Sequence, residues 1–411
     1  MPRLLLAIPL ILLFAGVLVG GHWYLAQRLV LDAGLSPGLE RILVGAIIAC
    51  AATLILQPIG ERTLRPPVSR VIAWPASLWM GLFFYLFLLV ALSDGLLFVG
   101  GLFGAETVHA AESGTTSAAS GLGGVRAVAV AMLALVFVGL GLWGWRGGPI
   151  LAKVEIFLER WPAALDGFRI VQISDIHIGP LLDRRFAAEL TERVNALDAD
   201  LVAVTGDLVD GSVSKLRDEV EPFGGLRGRH GVFFVTGNHD HYSGADGWSE
   251  RMQELGMQVL RNERVTLRVD EAAFELAGVD DHRSGYETFG GEDLGKALAD
   301  LPGDRAVVLL AHDPSTFKKA CRMGVDLQLS GHTHGGQIWP FEYFVRLAVP
   351  FVAGLYRRGD AQVYVSRGTG FWGPPMRLWA PAEITEIRIR SGSGPDSQPS
   401  PQLNPKPGES R

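Results

Sequence analysis

Five short polar motifs in the second half of the chain carry side chains that commonly bind divalent metals. The motifs read SDIHIG, TGDLVDG, TGNHDHY, LLAHDP and SGHTHGG, and each follows a short apolar run. One such motif alone is more often a turn or a structural histidine, whereas five in succession predict a metal centre. The side chains that they offer are Asp175, His177, Asp207, Asp210, Asn238, His239, Asp240, His312, His332 and His334.

The types of these side chains indicate the metal and the reaction. Imidazole and carboxylate ligands without thiolate favour Mn, Zn or Fe over Ca, and they do not match the usual structural zinc site. Hydrolysis of a phosphate ester needs a nucleophile at neutral pH and positive charge beside the phosphate oxygens. Two cations about 3.5–4 Å apart supply both, if a bridging carboxylate offsets their repulsion. The sequence therefore predicts two divalent metal ions and a phosphate-ester substrate.

The apolar runs before the motifs predict the strands that must position them. FRIVQIS, ADLVAVTG, GVFFVTG, AVVLLAH and VDLQLSG are short apolar runs that each end in polar or turn residues, as buried strands do. Residues 186–197 have helical spacing, and FELAGV, QVYVSRG and EITEIRIR are typical of further strands. An open α/β sheet places its site at the carboxyl ends of its strands, and a sandwich would present such loops at one rim equally well. The pattern leaves both architectures open.

The order D-x-H, G-D-x-x-D, G-N-H-D, H and G-H-x-H resembles the calcineurin-like metallophosphoesterase family over residues 168–390. The resemblance implies a catalytic α/β (α+β) domain built as a β-sandwich flanked by helices. It also implies the ligands, which are Asp175, His177 and His334 for the first metal, Asp207 as the bridge, and Asn238, His312 and His332 for the second metal.

The same resemblance implies two catalytic residues. His239 stands beside the substrate and protonates the leaving oxygen or stabilises charge, and Asp210 is its partner. A carboxylate raises the proton affinity of an imidazole and selects its tautomer. A hydroxide that bridges the two metals is expected to attack phosphorus in line. The alternative for Asp210 is that it caps a turn with Gly211.

Further motifs resemble the bacterial membrane-associated, YkuE-like branch of the family, which carries N-terminal transmembrane helices. They are GNHDHYSGADGW, GVDD, GHTHGGQI and YVSRGTGFWGPPMRL. One departure is AHDP, in which Asp313 stands where the family has Asn after the histidine. The departure leaves the metal preference open.

Three arginines are candidates to grip a phosphate, because a guanidinium offers a bidentate fork. They are Arg283, Arg367 and Arg377, of which Arg377 is preferred, and the alternative for each is a surface or strand-end charge. His241 and His282 could contact the substrate, but they are expected to be solvated loop histidines.

Residues 1–150 differ in character, because they hold four apolar runs at 4–20, 42–56, 78–92 and 125–145. A bilayer core about 30 Å thick needs about 20 apolar residues, so we predict a four-helix transmembrane region. The first run could instead be a signal peptide. Residues 151–390 form the predicted catalytic domain. Residues 391–411, rich in Pro, Ser and Gly, form a predicted disordered tail.

The distribution of basic residues predicts the topology. Arg62, Arg65 and Arg70 lie between the second and third runs, whereas residues 104–124 contain neither Lys nor Arg. Basic loops favour the cytoplasmic side, so we expect a multi-pass protein of the cell (inner) membrane with a cytoplasmic catalytic domain. Arg28 and Arg41 in the first loop count against this orientation.

Composition narrows the function classes further. With 37 basic and 43 acidic residues the net charge is −6, which argues against a binder of long nucleic acids. Two cysteines, Cys50 and Cys321, exclude a disulfide framework. Residues 338–356 are unusually apolar, and they either dock at a membrane interface or cover the edge of the sandwich.

The combined prediction is a membrane-anchored dinuclear phosphoesterase that hydrolyses phosphomonoesters or phosphodiesters. Expected substrates include lipids and envelope precursors. Two alternatives remain at this stage. One is a nucleotide phosphodiesterase or nuclease, and the other is a non-catalytic membrane receptor that retains the metal site. The oligomeric state is not predicted.

Overall fold

The computed structural model describes residues 2–66, 68–102, 116–281 and 291–394, with side chains described from residue 16 in the first helix and from residue 123 in the fourth. The chain divides into two compact units. One comprises Met1–Arg146 and Trp372–Leu378, and the other comprises Gly147–Phe371 and Trp379–Arg411. The predicted tail lies outside the described residues from position 395 onward.

The first unit is helical. Its helices are α1 (Pro2–Leu29), α2 (Pro37–Thr63), α3 (Val68–Leu102) and α4 (Thr116–Trp145). Among the described residues, three helices are long and apolar enough to cross a bilayer, within Pro37–Thr63, Val68–Leu102 and Gly123–Trp145. They contain the second, third and fourth predicted runs. The first run lies in α1, mostly in residues whose side chains are not described, so that span stays a prediction.

A polar network links three of these helices. The Oδ2 atom of Asp94 in α3 accepts a hydrogen bond from the Tyr24 hydroxyl at 2.6 Å and lies 2.9 Å from Nε of Arg28 in α1. Arg126 in α4 pairs with the other oxygen of Asp94 and donates to Ser93 Oγ at 2.9 Å. Charges in such apolar helices are costly unless paired, so this network holds α1, α3 and α4 in one arrangement.

The segment Trp372–Leu378 belongs to the same helical unit. The backbone amide of Arg377 donates to the carbonyl of Gly141 in α4 at 2.9 Å. Met376 lies against α3 and α4, where a Cβ added to Gly81 would collide with it and one added to Gly141 would come within 3.0 Å of it. Glycine at these two positions therefore permits the close approach of the segment.

The second unit contains twelve strands among its described residues. They are β1 (Ile150–Leu158), β2 (Phe168–Ile173), β3 (Leu201–Thr205), β4 (Val232–Val235), β5 (Gln258–Val259), β6 (Glu263–Val269), β7 (Ala272–Gly278), β8 (Val307–Leu310), β9 (Leu327–Ser330), β10 (Gly354–Arg358), β11 (Ala361–Val365) and β12 (Glu383–Ser391). Its helices are α5 (Arg184–Asn195), α6 (Val213–Leu216), α7 (Asn238–Tyr242), α8 (Ala245–Glu254), α9 (Leu294–Ala297), α10 (Phe317–Ala320) and α11 (Phe341–Ala348).

The strands form two six-stranded sheets that face each other. Their orders are β1-β12-β2-β3-β4-β5 and β10-β11-β9-β8-β7-β6. One buried core lies between them, to which the first sheet contributes Ile170, Phe233 and Ile387 and the second contributes Leu276, Val308 and Leu329. Helix α5 buries Ala187, Leu190 and Val194, and the Asp183 carboxylate caps its start. The predicted β-sandwich with flanking helices is confirmed.

Neighbouring parallel strands determine where the polar motifs meet. In the first sheet β2, β3 and β4 run parallel, and in the second β7, β8 and β9 run parallel. Gln172 near the end of β2 donates from Nε2 to Thr205 Oγ1 at 2.8 Å and to the Ser330 carbonyl at 2.9 Å, which joins the two sheets. The carboxyl ends of strands from both sheets therefore lie at one rim.

Candidate dinuclear metal centre

The first group of metal-type side chains follows β2 and β9. Nε2 of His177 lies 3.0 Å from Nε2 of His334, and the latter lies 3.6 Å from Oδ1 of Asp175. Asp175 is fully buried, and its Oδ1 accepts from the backbone amide of His332 at 2.8 Å. Three potential ligand atoms from two strand ends therefore face one point.

The second group follows β3, β4, β8 and β9. Nε2 of His312 lies 3.1 Å from Oδ2 of Asp207 and 3.2 Å from Nδ1 of His332. The Nδ1 atom of His312 lies 2.8 Å from the Thr205 carbonyl, a contact that selects the tautomer with Nε2 available as a ligand. Asn238 begins α7 and is buried, and the backbone amide of the next residue, His239, donates to Asp207.

Asp207 belongs to the second group and also faces the first. Its Oδ2 atom is 3.1 Å from His312 Nε2 and 3.9 Å from His177 Nε2, while its Oδ1 accepts from the His239 amide at 2.8 Å. A carboxylate in this position can contact a cation on either side. Two cations about 3.5–4 Å apart would fit such an arrangement.

Two observations show that these residues fit cations. Asp175 Oδ2 and Asn238 Oδ1, from two of the predicted ligands, are buried oxygens without a hydrogen-bond partner among the described residues. Buried polar atoms are otherwise almost always paired. In addition, donors about 2.0–2.1 Å from a zinc-type cation lie about 3–3.4 Å apart, close to the 3.0, 3.1 and 3.2 Å separations here.

The backbone at the site adopts an uncommon conformation. Asp175, His177, Asp207, His332 and His334 all have positive φ, between 51° and 72°. Residues other than glycine rarely adopt this region, because it costs conformational free energy. They remain in it only where contacts with the rest of the structure enforce it. Five of the seven predicted ligands have this backbone conformation, so the surrounding structure holds these loops in a strained conformation that determines the direction of their side chains.

A pair formed by His239 and Asp210 stands beside the centre. Nδ1 of His239 lies 2.6 Å from Oδ1 of Asp210, and the same carboxylate lies 3.1 Å from Nδ1 of His177. Asp210 therefore contacts the Nδ1 atoms of two imidazoles, so its role is not limited to capping a turn. Its contact with His177 leaves Nε2 of that ring to face the first group.

The electrostatics of this pair favour a charged imidazole. Burial disfavours the imidazolium, but the Asp210 carboxylate outweighs burial and raises the pKa of His239 to about 9. Burial likewise disfavours the charged Asp210, yet His177 and His239 lower its pKa below the ordinary value. At the centre itself, burial is again outweighed, because His312 holds the pKa of Asp207 well below its usual range.

Two carboxylates have structural roles that the sequence analysis did not assign. Oδ1 of Asp240 accepts from the Leu208 amide at 2.9 Å and Oδ2 accepts from the Gly237 amide at 2.8 Å, which ties the β3 and β4 loops together. Asp313 Oδ2 lies 3.6 Å from Nε2 of His332, on the ring edge opposite His312. The departure at Asp313 thus places a carboxylate behind a predicted ligand. In the sequence, the only sign of these two carboxylates is that each directly follows a histidine, in the tripeptide N-H-D and the dipeptide H-D.

The three arginines that were predicted to bind phosphate do not form one cluster among the described residues. Arg377 is 1% exposed, in the segment that belongs to the helical unit. Nη1 of Arg367 donates to Glu383 at 2.7 Å. Arg283 and His282 lie outside the described residues. The expectation of a solvated His241 is wrong, because the ring is buried and its Nε2 lies 3.0 Å from Thr236 Oγ1. A binding role for Arg377 stays a prediction.

Comparison with known proteins agrees with this geometry. Residues 168–336 match the family model of the calcineurin-like phosphoesterases. An uncharacterized metallophosphoesterase of Aquifex aeolicus is 33% identical over 244 residues, which cover 58% of this chain and 90% of that protein. The uncharacterized metallophosphoesterase YkuE of Bacillus subtilis is 33% identical over 56% of this chain and 82% of its own length. The chain belongs to the calcineurin-like phosphoesterase family.

A further similarity concerns two animal proteins that are named as transmembrane proteins. The "transmembrane protein with metallophosphoesterase domain" of Bos taurus is 39% identical over 279 residues, which cover 65% of this chain and 63% of that protein. The protein of the same name in Danio rerio is 39% identical over 59% of this chain and 57% of its own length. The chain spans less than two thirds of these relatives.

Proposed function

We propose that this chain is a membrane-anchored, dinuclear metal-dependent phosphoesterase. The observation that carries the proposal is the position of Asp207, whose Oδ2 atom lies 3.1 Å from His312 and 3.9 Å from His177. One carboxylate within reach of two sets of imidazoles supports a two-cation centre rather than two separate sites.

The proposed ligands follow from the two groups. Asp175, His177 and His334 hold one cation, and Asn238, His312 and His332 hold the other, with Asp207 shared. Two divalent cations bound there would neutralise phosphate oxygens and lower the pKa of water, the chemistry that hydrolysis requires. Imidazole, carboxylate and amide donors suit Mn, Zn or Fe.

His239 is the proposed proton donor to the leaving oxygen. Asp210 engages its Nδ1 atom at 2.6 Å, so Nε2 is the atom that transfers the proton. The side chain is 20% exposed, whereas His177 and His312 are 1% and 0% exposed. A ring that reaches solvent can meet a substrate, and the buried rings cannot.

Hydrolysis of bis-p-nitrophenyl phosphate and p-nitrophenyl phosphate tests the activity. Purified protein should lose turnover with a chelator and regain it with Mn²⁺, Zn²⁺ or Fe²⁺. His239→Gln should lower kcat by a factor on the order of 10²–10⁴ and keep its metal. The matched control is His230→Gln, because His230 stacks on Phe168 away from the centre. Full turnover in the chelated protein would refute the metal-dependent reaction.

Membrane anchoring is proposed from the three bilayer-length helices. Arg62 and Arg65 lie at the end of α2 and just after it, which supports a cytoplasmic position for that connection and for the catalytic unit at the inner membrane. A C-terminal green fluorescent protein fusion should fluoresce, and a C-terminal alkaline phosphatase fusion should be inactive. The reverse result would contradict this topology.

The substrate is proposed to be a phosphomonoester or phosphodiester, with lipids and envelope precursors as the first class to test. The support is the proposed location, which places the centre near membrane phosphates. A screen of lipid phosphates, headgroup diesters and nucleotides would order these classes by kcat/KM. Preferential hydrolysis of nucleotides would direct the assignment to a nucleotide phosphodiesterase.

A further inference from the structure

A short amphipathic helix begins seven residues after His334, one of the proposed metal ligands. Helix α11 (Phe341–Ala348) has the sequence FEYFVRLA. The Glu342 backbone lies so close to Gly336 that a Cβ there would meet it at 2.5 Å. Gly336 is two residues from His334, so their Cα atoms are at most about 7.6 Å apart. The helix therefore begins beside the candidate metal centre.

The apolar face of α11 points away from the domain. At about 100° per residue, Tyr343, Phe344 and Leu347 share one side, while Glu342 and Arg346 share another. Exposure rises toward the centre of the apolar side, with Phe344 50%, Tyr343 57% and Leu347 85% exposed. No residue of α11 is buried. A helix that covered a hydrophobic core would show the opposite pattern.

The rest of this apolar segment behaves differently. Val349 and Val352 are 3% and 2% exposed, and Phe351 packs against Phe317 and Tyr356 with ring centroids 5.7 and 5.3 Å apart. These residues cover the core of the second unit. Of the two interpretations of residues 338–356, the hydrophobic cover therefore applies to residues 349–352, and α11 needs another explanation.

An exposed tryptophan extends the apolar surface. Trp379 is 68% exposed, and its ring centroid lies 4.9 Å from that of Trp339, two residues before α11. The residues 338 and 379 also form an antiparallel bridge, which fixes the pair beside the helix. Trp, Phe, Tyr and Leu together are the composition of helices that lie in the interface of a bilayer.

We propose that α11 inserts Tyr343, Phe344 and Leu347 into the interfacial layer of the bilayer. The proposal rests on the membrane anchoring proposed above, which keeps a bilayer within reach of the domain. A helix of eight residues is about 12 Å long and 10–12 Å wide, so its face offers on the order of 100–150 Å². A stable protein interface buries roughly 800 Å² on each partner, so a second copy is the weaker occupant.

Fluorescence quenching of the full chain in phosphatidylcholine–phosphatidylglycerol proteoliposomes tests the insertion. In a Cys50→Ala/Cys321→Ala background, an environment-sensitive label at Leu347→Cys should emit at shorter wavelength, be quenched by lipids with a nitroxide near the headgroup, and resist iodide. The same label at Arg268→Cys, an exposed site on β6, should show the reverse. Phe344→Glu should abolish lipid quenching at position 347, and Arg346→Glu should preserve it.

Each outcome decides the proposal. Quenching by iodide at position 347 equal to that at position 268 would overturn it. Shielding from both quenchers would also overturn it, in favour of a protein partner. A label at Leu96→Cys in α3, 65% exposed, reports the anchoring separately, because lipid must reach it if the helices span the bilayer. Turnover of soluble bis-p-nitrophenyl phosphate should be unchanged in Phe344→Glu, which shows that fold and catalysis are intact.

Discussion

The Oδ1 atom of Asp210 lies 2.6 Å from Nδ1 of His239, and this carboxylate also lies within 3.2 Å of Nδ1 of His177. One side chain thus orients the proposed proton donor and a proposed metal ligand. Loss of Asp210 should therefore impair both proton donation and metal binding, whereas loss of His239 should impair proton donation alone.

We expect Asp210→Asn to lower metal affinity by about 10–100-fold, because residues that orient ligands contribute on that scale. His239→Gln should leave metal affinity within about twofold of the wild-type protein while kcat falls, since its ring holds no cation in this account. Metal titration beside kcat and KM separates the two variants. Equal metal affinity in both would show that Asp210 does not support His177.

A second prediction concerns the space around Asp175. A Cβ at Gly331 would collide with Ser174 Oγ and Asp175 Oδ2. Gly331→Ala should therefore displace the carboxylate and lower metal affinity by more than about tenfold. Gly303→Ala, where nothing lies within 4 Å of the added Cβ, is the matched control. Normal metal content in Gly331→Ala would mean that Asp175 is not a ligand.

A third prediction concerns the helical unit. Asp94→Asn removes the charge between Arg28 and Arg126, whose side chains are 41% and 25% exposed. The cost should be about 1–3 kcal/mol, between exposed and buried ion pairs. Thermal loss of helical circular dichroism in detergent measures it. Asp32→Asn, which removes an exposed i,i+4 pair with Arg28, should cost less than about 0.5 kcal/mol. Equal effects would contradict the proposed role of the Asp94 network.

The strands and the ligand types could be predicted because both are local. The runs FRIVQIS, ADLVAVTG, GVFFVTG, AVVLLAH and VDLQLSG contain β2, β3, β4, β8 and β9. The metal-type residues follow these strands, and the structure gathers them at one rim. The choice between an open sheet and a sandwich came from family resemblance, because strands buried on both faces have the same pattern in either architecture.

Features that depend on tertiary packing could not be predicted. Val349 and Leu347 are two residues apart and equally apolar, yet one is 3% and the other 85% exposed. His241 lies within the polar motif TGNHDHY and is still buried against Thr236. Asp240 accepts a hydrogen bond from the amide of Leu208, and Asp313 lies 3.6 Å from the ring of His332; both contacts join separate segments of the chain. The sequence identified these residues as polar or apolar, but not what they contact.

The direct test of the central claim is the metal content of Asp207→Ala. Wild-type protein, purified without chelator and measured by plasma mass spectrometry, should bind about two divalent ions per chain. Asp207→Ala should retain less than about one and lose turnover of bis-p-nitrophenyl phosphate, because the shared carboxylate offsets the repulsion between the ions. Two tightly bound ions and wild-type turnover in Asp207→Ala would contradict the account.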